Sequence, residues 1–252
     1  MRVAIFLCAT ACLLIGCATN PYQQYYHPVS GISEQLLAER RVAPPTAMPE
    51  LYHSSQPNID GPATLADGFV LIGTSTFKGP SGSEDDALKQ GKAVGADRVL
   101  IFSRYAGVVE KMAPRSAPGT VGHIAYGSSP SRPNSTRTIF EPTMFDRYDF
   151  AAAYFVRFKH VFGAVYRNLN LAETKRAGSV NGVTITTVVR GSQAAASGLL
   201  PGDLVTKADD EAVIDAPWLV RWIRQRYGQE ITLSVIRNDR RLTIPVSVGT
   251  FD

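Results

Sequence analysis

Few side chains in this sequence combine the type and the spacing of a catalytic centre, so the sequence gives little support for an enzyme. Ser75 and Lys78 form a Ser-x-x-Lys pair, and a neighbouring amine can activate a serine hydroxyl as a nucleophile. The chain also has four histidines: His27, His53, His123 and His160. None forms a His-x-x-x-His metal pair, and the Gly-x-Ser-x-Gly turn of many serine hydrolases is absent. The residues predict no catalytic centre, metal site or cofactor, and an enzyme stays open as the alternative.

One cysteine, Cys17, has a chemically distinctive setting. Arg2 is followed by an uncharged apolar run, Val3–Ile15, which is too short to span a bilayer and is typical of a targeting segment. The run ends in Leu14-Ile15-Gly16-Cys17, which resembles the lipobox of bacterial lipoproteins. The resemblance implies removal of a signal peptide over residues 1–16 and attachment of diacylglycerol and palmitate to Cys17. An ordinary secretory signal that happens to contain cysteines is the alternative.

The other cysteines, Cys8 and Cys12, lie inside the leader, so the exported chain would contain no disulfide. Ala18 follows the lipidated position, and resemblance to enterobacterial sorting rules then implies the outer membrane. We therefore expect a protein of the bacterial cell envelope that faces the periplasm and is held to the membrane by its N-terminal lipid. The net charge of +4 is too small to indicate a nucleic-acid partner.

Residues 17–66 are predicted to be a lipid-anchored tether. Pro21–Pro28 is polar and aromatic without a clear period, and only Ser33–Arg41 has the pattern of a short helix before Pro44. We expect a flexible, solvated spacer. Contact of its aromatic side chains with the membrane surface or a partner is the alternative.

Residues 67–158 predict a small α+β domain. Ser83 has the position of a helix N-cap, and Gly95 that of the helix stop. Three strands are expected around this helix: Phe69–Ile72, Arg98–Phe102 and Asp149–Phe158. A strand, one short helix and further strands are typical of a small two-layer unit.

The stretch 106–142 interrupts this domain and is rich in Gly, Ser and Pro. A connection of this length is either functional or disordered. Because it offers little apolar surface to bury, we expect a disordered arm. Contact with the cell wall or an acidic partner is the alternative.

Residues 160–252 carry the most informative pattern. Val183–Val189 alternates in the period of a strand with two different faces. A turn at Arg190-Gly191-Ser192, a short alanine-rich helix over Gln193–Ser197 and a glycine stop at Gly198 follow it. The chain then re-enters a strand at Gly202-Asp203-Leu204-Val205.

This order of residues resembles PDZ domains, in the form found in bacterial envelope proteases of the high-temperature-requirement type. Gly191-Ser192-Gln193-Ala194, Ser197-Gly198-Leu199 and Gly202-Asp203-Leu204-Val205 fall at the matching spacings. The resemblance implies a small β-barrel or sandwich with a groove-forming helix, and we expect no protease domain beside it. The predicted fold class is therefore α+β, with a C-terminal PDZ domain after the smaller domain and the tether.

The resemblance also implies a binding groove. PDZ domains add a peptide strand to a sheet edge beside a helix, so Phe162-Gly163-Ala164 would receive the terminal carboxylate at a surface loop. The other groove residues would be Val165 and Tyr166 on the strand, with Leu219, Val220, Trp222 and Ile223 on a helix over Pro217–Tyr227. Core packing is the alternative for Leu219 and Ile223. Arginines 221, 224 and 226 on that helix either favour acidic peptides or are simply solvated.

The expected function is that of a cell-envelope lipoprotein whose PDZ domain is a non-catalytic adaptor for peptide or protein C-termini. An envelope protease or a cell-wall component is the expected kind of partner. A protease-related enzyme and a self-associating structural scaffold are the alternatives. We also expect Gly163→Asp to weaken peptide binding while the fold survives.

Overall fold

The computed structural model describes residues 20–45, 47–118 and 136–250, with the backbone alone over 111–118, 136–142 and at Phe145. Cys17 and the leader lie outside the described residues. The elements of the N-terminal domain (residues 20–157) are α1 (Pro21–Gln24), β1 (Tyr26–Pro28), α2 (Glu34–Arg40), β2 (Glu50–His53), α3 (Pro57–Ala66), β3 (Phe69–Gly79), α4 (Glu84–Ala93), β4 (Arg98–Pro118) and β5 (Thr136–Arg157). Those of the C-terminal domain (residues 161–250) are β6 (Ala164–Asn168), α5 (Leu171–Ala177), β7 (Val183–Val188), α6 (Gln193–Ala196), β8 (Leu204–Ala208), β9 (Glu211–Ala212), α7 (Ala216–Arg224), β10 (Glu230–Arg237) and β11 (Arg240–Ser247).

The N-terminal domain is built on a five-stranded sheet in the order β1-β3-β5-β4-β2. Neighbouring strands are antiparallel except β2 and β4, which are parallel. Because side chains alternate along β5, Tyr154 packs with α1 and α4 on one face, and Phe155 packs with Leu65 of α3 on the other. Ser83 caps α4 as expected, since its Oγ accepts the Asp86 N–H at 3.1 Å.

The expected tether over 17–66 is wrong for all of it that the structure describes, residues 20–45 and 47–66. Asn20 caps α1 by accepting the Tyr22 N–H at 2.8 Å, and the Tyr22 ring is buried edge-on against Phe77 at 4.9 Å between centroids. β1 pairs with β3, and β2 pairs with β4. These strands form the two edges of the sheet, and strands of three and four residues are too short to show a period in the sequence.

The expected disordered arm over 106–142 is also wrong for its described parts. Residues 106–118 and 136–142 prolong β4 and β5 in one continuous antiparallel ladder, with a bulge between Tyr105 and Gly107; residues 119–135 lie outside the described residues. Backbone hydrogen bonds build this ribbon, and they do not require the apolar side chains on which the expectation was based.

The C-terminal domain is built on a six-stranded sheet in the order β11-β10-β8-β7-β6, with β9 paired to β8. Its core includes Ile185, Leu199, Leu233 and Val246, and α7 closes it. Asp203 is buried, where Arg237 donates to both of its carboxylate oxygens at 2.7 Å. This pairing satisfies a charge that would otherwise be costly to bury.

Two sets of contacts join the domains. The Arg190 N–H donates to the Ala66 carbonyl oxygen at 2.8 Å, and its guanidinium pairs with the Asp67 carboxylate. On the other side, the Arg40 guanidinium donates to the Tyr227 hydroxyl at 2.7 Å. The C-terminal domain is therefore held to the N-terminal domain at two points.

Candidate functional site

The candidate site lies along β6, the last strand of the six-stranded sheet. β6 pairs with β7 on one side, from Ala164 opposite Val188 to Asn168 opposite Val183, and ends the sheet on the other. An edge strand offers a row of backbone N–H and C=O groups to another extended chain. The sheet edge at β6 can therefore accept one more strand.

Helix α7 lies beside this edge and runs antiparallel to β6. Asp215 caps the helix by accepting the Trp218 N–H at 2.7 Å. The N–H of Ala216, the first helical residue, donates to Asn168 Oδ1 at 2.7 Å, which ties the start of α7 to the end of β6. Strand and helix thus form the two walls of a groove.

The loop before β6 turns its carbonyl groups inward. The Phe162 carbonyl oxygen accepts the Ala194 N–H at 2.9 Å, and the Gly163 carbonyl oxygen accepts the Val189 N–H at 2.8 Å and the Ser192 hydroxyl at 3.2 Å. Within the described chain, the N–H groups of Phe162 and Gly163 donate no backbone hydrogen bond. Backbone N–H groups of this kind are the donors with which loops bind anions.

Gly163 is fixed in place by packing. It is buried and has φ +81°, a conformation that glycine adopts without the strain of a side chain. A Cβ at this position would overlap the Ser192 side chain. The expectation that Gly163→Asp leaves the fold intact is therefore wrong, because the loop lies against α6 rather than free at the surface.

On the strand, Ala164, Val165 and Tyr166 are half-buried, and the Tyr166 ring meets the Phe162 ring edge-on at 6.5 Å between centroids. Burial raises the pKa of the Tyr166 hydroxyl, and the positive charge of Arg224 opposes part of that rise. Arg224 in the last turn of α7 is thus close to the middle of β6.

On the helix, the structure separates core residues from the groove wall. Leu219 is 1% exposed, and Trp222 and Ile223 are 5% exposed, in the core of the domain. For Leu219 and Ile223 the alternative of core packing is the one observed. Trp222 donates through Nε1 to Glu211 Oε1 at 2.8 Å, on the side of β9. Val220, two residues before Trp222, lies on the opposite side of the helix from it and is 38% exposed.

Sequence reasoning missed Asn168 and Ser192, which position the groove. Asn168 holds the start of α7, and Ser192 fixes Gly163. The only signal for Ser192 was its place after Gly191 in the turn, and Asn168 carried no signal of its role.

The Ser-x-x-Lys pair of the N-terminal domain is structural in this arrangement. Ser75 is fully buried, its Oγ donates to the Tyr22 carbonyl oxygen at 2.6 Å, and it lies 3.3 Å from the Tyr154 hydroxyl. Lys78 Nζ is 3.5 Å from Asp149 Oδ1 instead. The two side chains therefore have separate partners.

Residues 20–45, 47–118 and 136–250 give no sign of a metal centre or of a membrane-spanning helix. No group of three or more His, Cys, Asp or Glu side chains is placed to hold a metal ion there. No helix in the same ranges has the length and hydropathy needed to cross a membrane.

Comparison with known proteins finds similarity over the C-terminal domain. Residues 161–248 match the family described as PDZ domain. A solved structure of the HtrA-type protease AlgW with a decapeptide is 28% identical, with a TM-score of 0.31, covering 35% of this chain and 28% of that one. The HtrA3 PDZ domain bound to a phage-derived ligand (FGRWV) is 18% identical, with a TM-score of 0.31, covering 35% of this chain and 84% of that one.

The chain thus spans less than a third of the length of the AlgW chain that it matches. No curated protein matches it. The expected fold class, α+β with a C-terminal PDZ domain, is confirmed.

Proposed function

We propose that the PDZ domain binds the C-terminal segment of a partner polypeptide as an added strand on β6. The observation that carries the proposal is the open edge of β6 beside α7, with the N–H groups of Phe162 and Gly163 at the start of the strand. The similarity to AlgW, solved with a decapeptide, and to the HtrA3 PDZ domain, solved with a phage-derived ligand, supports it.

In this proposal the peptide lies antiparallel to β6, with its terminal carboxylate at Phe162 and Gly163. Backbone hydrogen bonds to β6 supply affinity that tolerates many sequences, and side-chain pockets supply selectivity. Ala164 and Val220 border the position of the last peptide side chain. A small residue at 164 leaves room there for a large apolar side chain.

We further propose that Cys17 anchors this domain in the bacterial cell envelope, at the outer membrane facing the periplasm. The support is the Leu14-Ile15-Gly16-Cys17 sequence after an uncharged apolar run, followed by Ala18. Metabolic palmitate labelling tests the anchor. Labelling should disappear in Cys17→Ser, and labelling that persists would contradict it.

The proposed role is non-catalytic, since the PDZ domain is a binding module and the Ser75 hydroxyl is buried on a backbone carbonyl. The partner would be an envelope protease or a cell-wall component whose chain end reaches the groove. Purified protein should show no peptide hydrolysis, and hydrolysis that survives Ser75→Ala would instead favour an enzyme with another nucleophile.

Groove binding is tested with C-terminal peptides selected from a displayed library. Val220→Arg places a charge in the groove wall and should weaken binding at least tenfold. Val180→Arg is the matched control, because Val180 is 84% exposed in the turn after α5. If both variants bind the peptide as tightly as wild type, the ligand does not enter this groove.

A further inference from the structure

We propose that Arg224 recognises a carboxylate of the bound peptide, which gives the groove a preference for acidic ligands. This inference rests on the proposed peptide-binding function and names the chemistry of its ligand. It concerns one side chain of α7 that has no acidic partner among the described residues.

The first step is the position of Arg224 on the helix. Ala216, Val220 and Arg224 follow one another at intervals of four residues, so they share one side of α7. Trp222 and Arg226, on the opposite side of the helix, donate to Glu211 of β9, and the start of α7 is tied to Asn168 at the end of β6. The side with Ala216, Val220 and Arg224 is therefore turned toward β6. Arg224 therefore stands on the groove side, one turn beyond Val220.

The second step is the end of the groove at which Arg224 lies. Its charge acts on the Tyr166 hydroxyl, and the Tyr166 ring contacts the ring of Phe162 in the loop before the strand. Arg224 is thus beside the half of the groove that runs from the middle of β6 toward Phe162, where the peptide chain would terminate, and away from Asn168.

The third step is the pairing of the surrounding charges. Arg167 binds Glu173 at 2.7 Å, and Arg226 binds Glu211 at 3.0 Å. Among the described residues, no carboxylate oxygen lies within 4.0 Å of the Arg224 guanidinium. The nearby acidic side chains are therefore committed elsewhere, while Arg224 keeps its charge for a ligand.

Arg221 provides an internal comparison on the same helix. It is exposed, like Arg224, and no carboxylate oxygen of the described residues lies within 4.0 Å of it either. At 3.6 residues per turn, Arg221 is rotated by about 60° from Arg224, away from β6. If charge alone attracted acidic peptides, both arginines would contribute equally to peptide affinity. If the position on the helix decides, Arg224 contributes and Arg221 does not.

The ligand carboxylate has two sources, the terminal carboxylate of the peptide and the side chain of an Asp or Glu near its end. Both bind a guanidinium through charge-assisted hydrogen bonds. The probe is a C-terminal peptide selected by the wild-type chain, prepared as free acid and as amide, and in versions with Asp or Glu replaced by Asn or Gln.

The experiment measures the affinity of each peptide for the mature chain as wild type, Arg224→Gln and Arg221→Gln, beside melting curves. Arg224→Gln should lower the affinity for the parent peptide about tenfold. If the terminal carboxylate is the partner of Arg224, amidating the peptide should lower its affinity less for Arg224→Gln than for wild type. If an acidic side chain of the peptide is the partner, replacing it by Asn or Gln should lower the affinity less for Arg224→Gln than for wild type.

The inference is overturned if amidation and the Asn or Gln replacements each lower the affinity by the same factor in Arg224→Gln as in wild type. It is also overturned if Arg221→Gln weakens peptide binding as much as Arg224→Gln does. Either result leaves the proposed function standing, because the peptide still binds the groove. Failure of the wild-type chain to select any peptide overturns the proposed function itself, and this inference with it.

Discussion

The edge strands of the two sheets have different surroundings. In the N-terminal domain, β1 and β2 cover the two sides of the three-stranded core formed by β3, β5 and β4. In the C-terminal domain, β6 ends the sheet and faces a groove. An exposed edge can pair with other chains, and short edge strands such as β1 and β2 offer few backbone groups for such pairing. We expect strand addition at β6, where the start of α7 is tied to the strand. The segment expected to be a spacer thus supplies both edge strands of the N-terminal sheet.

The largest expected effect is that of Gly163→Asp, which acts on the loop that begins the open edge. The side chain would combine an unfavourable positive φ with overlap on Ser192, and we expect destabilisation of about 3 kcal/mol or more. Chemical denaturation followed by circular dichroism measures it. Gly191→Ala is the control, since Gly191 has φ +72° but nothing within 4 Å of an added Cβ; it should cost about 1 kcal/mol. Equal stability of both variants would contradict the packing described for Gly163.

A second pair of substitutions sharpens the division between core and groove on α7. Leu219→Ala removes a side chain that is 1% exposed and should destabilise the domain by about 3 kcal/mol. Val220→Ala removes a side chain that is 38% exposed, and it should weaken peptide binding with little loss of stability. Melting curves and peptide titrations on both variants distinguish the roles. A reversed pattern would mean that α7 is rotated relative to this description.

The smallest expected effect concerns the linker between the domains. His160 Nε2 lies 3.3 Å from the Gly68 carbonyl oxygen, and burial lowers the pKa of His160 below its ordinary value of 6.5. The unfolded chain then binds a proton more readily than the folded chain, so stability is lost as the pH falls below about 6.5. Unfolding measured between pH 7 and pH 5 should show this slope, and His160→Gln should reduce it. An unchanged slope in the variant would assign the pH dependence to other groups.

The sequence predicted what depends on local signals. Ser83 was recognisable as a helix cap, and the glycine spacing around β7 and β8 indicated the C-terminal fold. β1 and β2 were not predicted, because short edge strands are stabilised by pairing with a neighbouring strand and carry no local sequence pattern. Leu219 was assigned to the groove because neighbouring positions on a helix differ by about 100°, and sequence alone does not show which one faces inward.

The most direct test of the central claim is amide hydrogen exchange on the mature chain with and without a selected C-terminal peptide. Strand addition on β6 predicts new protection at Phe162, Gly163 and along Ala164–Asn168, because the peptide takes up backbone hydrogen bonds there. The sheet of the N-terminal domain should exchange as before. Protection confined to that sheet, with β6 unchanged, would contradict the account.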